Sequence, residues 1–131
     1  MDTVTTSAGA AELKALFEAF NRHDAEAVMA FMTGDCVFET VAGPEAYGTR
    51  IEGRDAVKDA FAEVFETFPD AHWETSRHTV VGDLGVSEWT FRGTRRDGAR
   101  IEAEGCDLFT FRGDKIALKR AFRKQRPLLS T

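Results

Sequence analysis

Cysteine is scarce in this chain, with two residues in 131, and net positive charge and long apolar runs are missing. Cys36 and Cys106 lie far apart, and neither has a second cysteine two or three positions away. That excludes a Cys-x-x-Cys metal knuckle or redox motif and leaves both as reduced packing residues. No apolar run is long enough to cross a bilayer. Residues 1–9 have neither the basic start nor the apolar stretch of a signal peptide. A cytoplasmic protein with no membrane partner is the expectation. Seventeen Lys and Arg against 22 Asp and Glu give a net charge of -5, which argues against a general affinity for nucleic acid phosphates. The basic residues between Arg95 and Arg126 alternate with apolar ones and read as one charged sheet face.

What the chain does have is apolar material: 43% hydrophobic residues, 11 of them Phe, in a length that suits one core. A single domain over residues 1–131 is expected, with a loose tail over about residues 1–8. Leu13, Leu16, Phe17 and Phe20 recur at helical spacing behind the candidate caps Thr6 and Ser7. Asp24 caps a second short helix carrying Val28, Phe31 and Met32, which Gly34 stops before a strand over Cys36 to Thr40. The Gly-rich stretch from Val41 to Gly53 reads as a loop. Val57, Phe61, Val64, Phe65 and Phe68 mark a third helix, closed by Pro69. Four strands follow, about Ala71 to Val81, Leu84 to Arg95, Ala99 to Phe111 and Lys115 to Lys124, divided by Gly82-Asp83, Asp97-Gly98 and Gly113-Asp114. Helices first and strands afterwards predict an α+β fold: three helices packed on a curved antiparallel, mixed-edge sheet, a cone that encloses one pocket.

Turn lengths assign side chains to faces. A two-residue turn at Gly113-Asp114 places Arg112 opposite Lys115, Phe111 opposite Ile116, Phe109 opposite Leu118 and Asp107 opposite Arg120. A three-residue loop from Asp97 to Ala99, with Gly98 left-handed, places Phe91 opposite Gly105 and Trp89 opposite Asp107. The inner face then carries a row Trp89, Asp107, Arg120, with room beside it at Ala103 and Gly105. The outer face carries a charge ladder of Arg92, Glu104 and Arg123. Two readings of Asp107 and Arg120 stand: a structural ion pair steadied by the Trp89 indole, or a polar group that orients a ligand in the pocket.

A two-residue Gly82-Asp83 turn faces His78 inward, opposite Ser87; a loop one residue longer or shorter turns it out. His72, Glu74 and His78 share a strand face, but six residues of strand span about 20 Å, so they do not hold one metal ion. No metal or cofactor is expected. Tyr47 sits where the Gly-rich loop rims the cone mouth, as hydroxyl donor or lid. Glu39 alternates outward from Phe38 and Thr40, and His23 sits in a solvated turn.

Three stretches carry a family likeness: Phe20-Asn21-Arg22-His23-Asp24 through Cys36-Val37-Phe38-Glu39, then Ile51-Glu52-Gly53-Arg54-Asp55-Ala56-Val57, and Gly105-Cys106-Asp107-Leu108-Phe109-Thr110-Phe111-Arg112-Gly113-Asp114-Lys115-Ile116. From Leu13 to Arg126 the chain resembles the nuclear transport factor 2-like superfamily, in its SnoaL-like and ketosteroid isomerase-like branches. The resemblance implies a cone pocket for a small apolar or carbonyl-containing molecule and a homodimer through the outer sheet face. It gives Asp107 the place of the isomerase carboxylic acid that donates a hydrogen bond to an enolate oxygen. The isomerase general base falls on Thr40 and its phenol donor on Leu16, so that route does not transfer. The expected site is therefore Asp107 with Arg120 as the reactive pair, the Arg120 cation holding the carboxylate ionised, inside a lining of Trp89, Tyr47, His78, Phe38, Thr40, Phe109, Leu16 and Phe61. An isomerase, a cyclase, an epoxide-hydrolase type of enzyme and a non-catalytic binding or dimerisation module all remain open.

Overall fold

A computed structural model describes the backbone of residues 3–129 and the side chains of residues 9–129. The first helix begins at Thr3, ahead of the expected caps Thr6 and Ser7, so residues 3–8 are helical and not a loose tail, while their side chains lie outside the described residues. Helix α1 (Thr3–Asn21) and helix α2 (Ala25–Met29) lead into strand β1 (Met32–Glu39). Strand β2 (Arg50–Glu52), helix α3 (Arg54–Thr67) and strands β3 (His72–Val81), β4 (Leu84–Thr94), β5 (Arg100–Arg112) and β6 (Lys115–Arg123) follow. The six strands form one curved sheet in the order β2-β1-β6-β5-β4-β3, antiparallel except where β1 runs parallel to β6. This is the expected α+β cone. No described helix is long and apolar enough to cross a membrane.

The stripe Leu13, Leu16, Phe17 and Phe20 turns wholly inward against the sheet. At the end of α1, Asn21 mimics a strand edge: its amide donates to the Trp73 carbonyl (3.0 Å) and accepts from the Trp73 N–H (2.8 Å), which seats the start of β3. Asp24 caps α2 as expected, accepting from the Ala27 N–H at 3.0 Å. The second helix stops at Met29, earlier than expected, because the chain finds a better partner. Ile116 N–H donates to Phe31 O, and Met32 pairs with Ile116, so β1 begins at Met32 and runs through Gly34. Within the stretch from Val41 to Gly53, three residues pair with β1 to make β2. His23 is no solvated turn residue: its ring stacks on Phe65 at 4.4 Å and Nε2 lies 2.8 Å from the Ala71 carbonyl oxygen.

The registers decide the site. The Gly82-Asp83 turn closes Val81 onto Leu84 and sets His78 opposite Ser87. Between β4 and β5 the three-residue loop is Arg96 to Gly98, closed by Arg95 N–H to Ala99 O at 2.8 Å with Gly98 at φ 90°. That moves the pairing two residues from expectation: Trp89 faces Gly105 and Ser87 faces Asp107. An even slip leaves every side chain on its expected face. The last hairpin starts as expected, Arg112 on Lys115 and Phe111 on Ile116, but Ala117 then bulges out of β6. From there Asp107 faces Ala121 and Leu108 faces Arg120. A one-residue slip exchanges faces, so Arg120 and Phe122 turn outward while Lys119, Ala121 and Arg123 turn in. The outer ladder is correspondingly different: Arg92 bonds Glu102 (2.8 Å) and Glu74, and the Arg123 guanidinium lies 5.5 Å over the Phe91 ring.

Candidate functional site

Asp107 is fully buried at the centre of the inner face, as the sequence placed it, but its partner is a different one. Lys119 Nζ donates to Asp107 Oδ1 at 3.1 Å, and the Trp89 indole N–H donates to Oδ2 at 3.0 Å. Gly105 makes the second bond possible. A Cβ there would lie 2.6 Å from Trp89 Cη2, so the indole occupies the space that a side chain would need. The room expected at Gly105 is taken up by the Trp89 ring.

The parallel pairing of β1 with β6 sets Phe38 beside Lys119, and both point inward. The ammonium then lies 4.6 Å from the Phe38 ring centre, 5.4 Å from Phe20 and 5.6 Å from Phe61. Those rings pack on one another, Phe20 on Phe61 and Phe38 on Phe61, each at 5.0 Å. The Lys119 side chain keeps 8% of its surface exposed and Asp107 1%. Burial pushes the Asp107 carboxyl up from its ordinary range; the Lys119 charge and the two donated hydrogen bonds only partly oppose it. The expected effect, an arginine holding this carboxylate low, is absent because the Ala117 bulge takes Arg120 to the other face.

His78 does turn inward. Its Nδ1 lies 2.8 Å from Ser87 Oγ, its ring packs 5.7 Å from Phe17, and Nε2 is buried without a partner among the described residues. Burial, and secondarily the Lys14 charge, lower its pKa. The unfolded chain therefore takes up the proton first, so this contribution to stability is complete above the ordinary value of 6.5 and is lost as pH falls below it. Urea midpoints of His78→Asn are expected to flatten across that window relative to the parent.

Leu16, Phe38, Phe61 and Phe109 are buried in the interior around the pair. Arg120, Thr40 and Tyr47 are not with them. They border a cleft of about 640 Å³ on the outer face, together with Glu39, Glu88 and Phe122. There Arg120 Nε donates to Glu39 Oε1 at 3.0 Å, and Arg50 Nε and Nη2 donate to Glu39 Oε2 at 3.1 and 3.0 Å. Glu39 points outward as expected, yet the two guanidiniums bury it. The Arg50 guanidinium also lies 3.8 Å over the Tyr47 ring, which holds the loop against the sheet. Thr40 is a loop fastener whose hydroxyl donates to Ala42 O and accepts from Thr49 N–H. Glu39→Gln is expected to lower stability by about 1–2 kcal/mol in urea unfolding, a modest loss because both arginines are nearly half exposed. Among the described residues no three His, Cys, Asp or Glu side chains group as a metal cage.

Residues 13–119 match the family model described as a SnoaL-like domain. The chain belongs to the SnoaL-like family. Solved structures of other proteins share the fold. Bal32a, from a soil-derived mobile gene cassette, superposes with a TM-score of 0.81 at 15% identity, over 92% of each chain. A protein of Xanthomonas campestris pv. campestris, provisionally named a polyketide cyclase, does so with 0.78 at 20% identity, over 88% of this chain and 90% of its own. A protein of Catenulispora acidiphila with a ketosteroid isomerase-like fold, solved with trimethylamine, gives 0.72 at 19% identity, over 84% and 82%. No curated protein matches the sequence. At these identities the three structures share the fold and leave the chemistry to be argued from the residues.

Proposed function

We propose that this SnoaL-like protein acts on a small apolar carbonyl compound by proton transfer at the carbon beside the carbonyl, as an isomerase or cyclase does, with Asp107 carrying the proton. One observation supports this above others: a fully buried carboxyl bonded to a lysine ammonium that sits among three phenylalanine rings. A buried ion pair stabilises a core no better than apolar side chains of the same size, so retaining one calls for chemistry that needs it. A carboxyl raised by burial is a stronger base once ionised, which suits removal of a proton from carbon. Lys119 replaces Arg120 as its partner in this reading, and Trp89 orients the carboxyl.

Titrating isotope-labelled protein with cyclohexanone and acetophenone tests the place of binding. The expected result is a shift of the Trp89 indole N–H and of the Phe38 and Phe109 amides, lost in Asp107→Asn. Shifts confined to Tyr47, Gly48 and Phe122 would move the ligand to the outer cleft and make the Asp107–Lys119 pair structural.

The outer face has its own reading, as the contact surface of a homodimer. Val41, Tyr47 and Phe122 are large apolar side chains left 37–43% exposed around the cleft. Sedimentation is expected to give twice the 14.5 kDa chain mass, and the single mass for Phe122→Asp. The two free cysteines fit a chain over residues 1–131 that works as one domain in the reducing cytoplasm.

A further inference from the structure

We infer that Lys119 is a nucleophile, and that it binds ketones and aldehydes covalently as an iminium on Nζ. This rests on the carbonyl reading of the same site and deepens it.

Three features carry it. First, Nζ combines an acid at 3.1 Å with a wall of aromatic rings, in a side chain that still keeps slight exposure. A lysine amine attacks only when uncharged, and the Asp107 carboxylate, 3.1 Å from Nζ, is placed to take its proton as the carbonyl compound arrives. Second, the other lysines offer no such setting. Lys58 is bound to Glu26 at the surface, and Lys115 donates to the Ala30 carbonyl from an exposed position. Third, the rings favour a cation at that point, and the iminium keeps a positive charge there, facing Phe38.

The step balances without an outside reagent. Lys119 passes one proton to Asp107. The Nζ electron pair forms the bond to the carbonyl carbon, and the carbonyl π pair moves to oxygen, which takes the proton leaving nitrogen. Asp107 protonates the resulting hydroxyl, the C–O bond breaks, and water departs, leaving an iminium and the Asp107 carboxylate. That carboxylate then takes the proton from the adjacent carbon to give an enamine. Reprotonation and addition of water return Lys119 and a carbonyl compound, with no change in oxidation state.

Pentane-2,4-dione and 1-phenylbutane-1,3-dione test the inference in the whole protein, because they trap an amine as a stable enaminone with loss of water. Mass spectrometry of the intact chain is expected to show the diketone mass less one water, and peptide mapping to place it on Lys119. Lys119→Arg, which keeps the charge beside Asp107, loses the adduct without unfolding. Labelling spread over Lys14, Lys58, Lys115 and Lys124, or unchanged in Lys119→Arg, overturns the inference. If ketones move the Trp89 indole resonance and Lys119 stays unlabelled, Lys119 is not the nucleophile while the carbonyl reading stands. If the indole is also unmoved, both are wrong.

Discussion

Lys119→Met is expected to cost about 3–5 kcal/mol at neutral pH, because it strands Asp107 as an unpaired charge in the buried interior. The pH dependence has a definite sign. Removing Lys119 removes the main influence holding the Asp107 pKa down, while burial still raises it above 3.8. A group whose folded pKa is raised contributes its stability below the unfolded value and loses it as pH rises. The variant should therefore lie close to the parent below about pH 3.8 and fall behind steadily above it. Adding Asp107→Leu to Lys119→Met should recover most of the loss, since apolar side chains replace a buried pair at little cost. Urea unfolding of the parent, the single and the double variant at several pH values measures this. A double variant as weak as the single one would mean that the two residues are not coupled.

Gly105→Ala is the second large effect. A Cβ there would lie 2.3 Å from Phe122 O and 2.6 Å from Trp89 Cη2, one a backbone atom and the other a ring wedged in the core. Neither has space to yield. The expected loss is about 2–3 kcal/mol, read from the urea midpoint, with the Trp89 indole N–H resonance displaced as its bond to Asp107 breaks. Gly34→Ala is the control: it lies in β1 with open space around its α-carbon, and is expected to be neutral or slightly stabilising. Comparable losses in both would show that the effect at Gly105 is a general glycine effect and not the indole contact.

The sequence held most of the fold because the apolar periods and the turn residues agree. The stripe from Leu13 to Phe20, the switch to alternation after Pro69, and the pairs Gly82-Asp83 and Gly113-Asp114 each point to the element that is there. It also placed Asp107 and Trp89 on the right face, since the loop between β4 and β5 moved by two residues, an even number. The partner was hidden by the Ala117 bulge. Alternation of Ile116, Leu118 and Phe122 argues for an unbulged strand, and no Gly or Pro marks the irregularity. Leu118 and Phe122 instead line the outer face, so their apolar character belongs to that surface. Lys119 then reads as an ordinary solvent-facing lysine between Leu118 and Arg120. Only its parallel register with Phe38, a contact across 81 positions, shows otherwise, and nothing local in the sequence encodes that pairing. Strand β2 escaped for a similar reason: three residues inside a Gly-rich loop carry too little pattern to register as a strand.

Arg120 and Lys119 are adjacent in sequence and opposite in space, which allows one measurement to separate the two candidate partners of Asp107. Uptake of deuterium from solvent into the carbon beside the carbonyl of cyclohexanone or acetophenone, followed by proton NMR, reads the proposed chemistry directly. The parent protein is expected to accelerate exchange, Asp107→Asn to lose about 10²-fold or more of that acceleration, and Arg120→Met to retain it. Equal exchange in the parent and Asp107→Asn, or a loss in Arg120→Met in place of Asp107→Asn, would contradict the account.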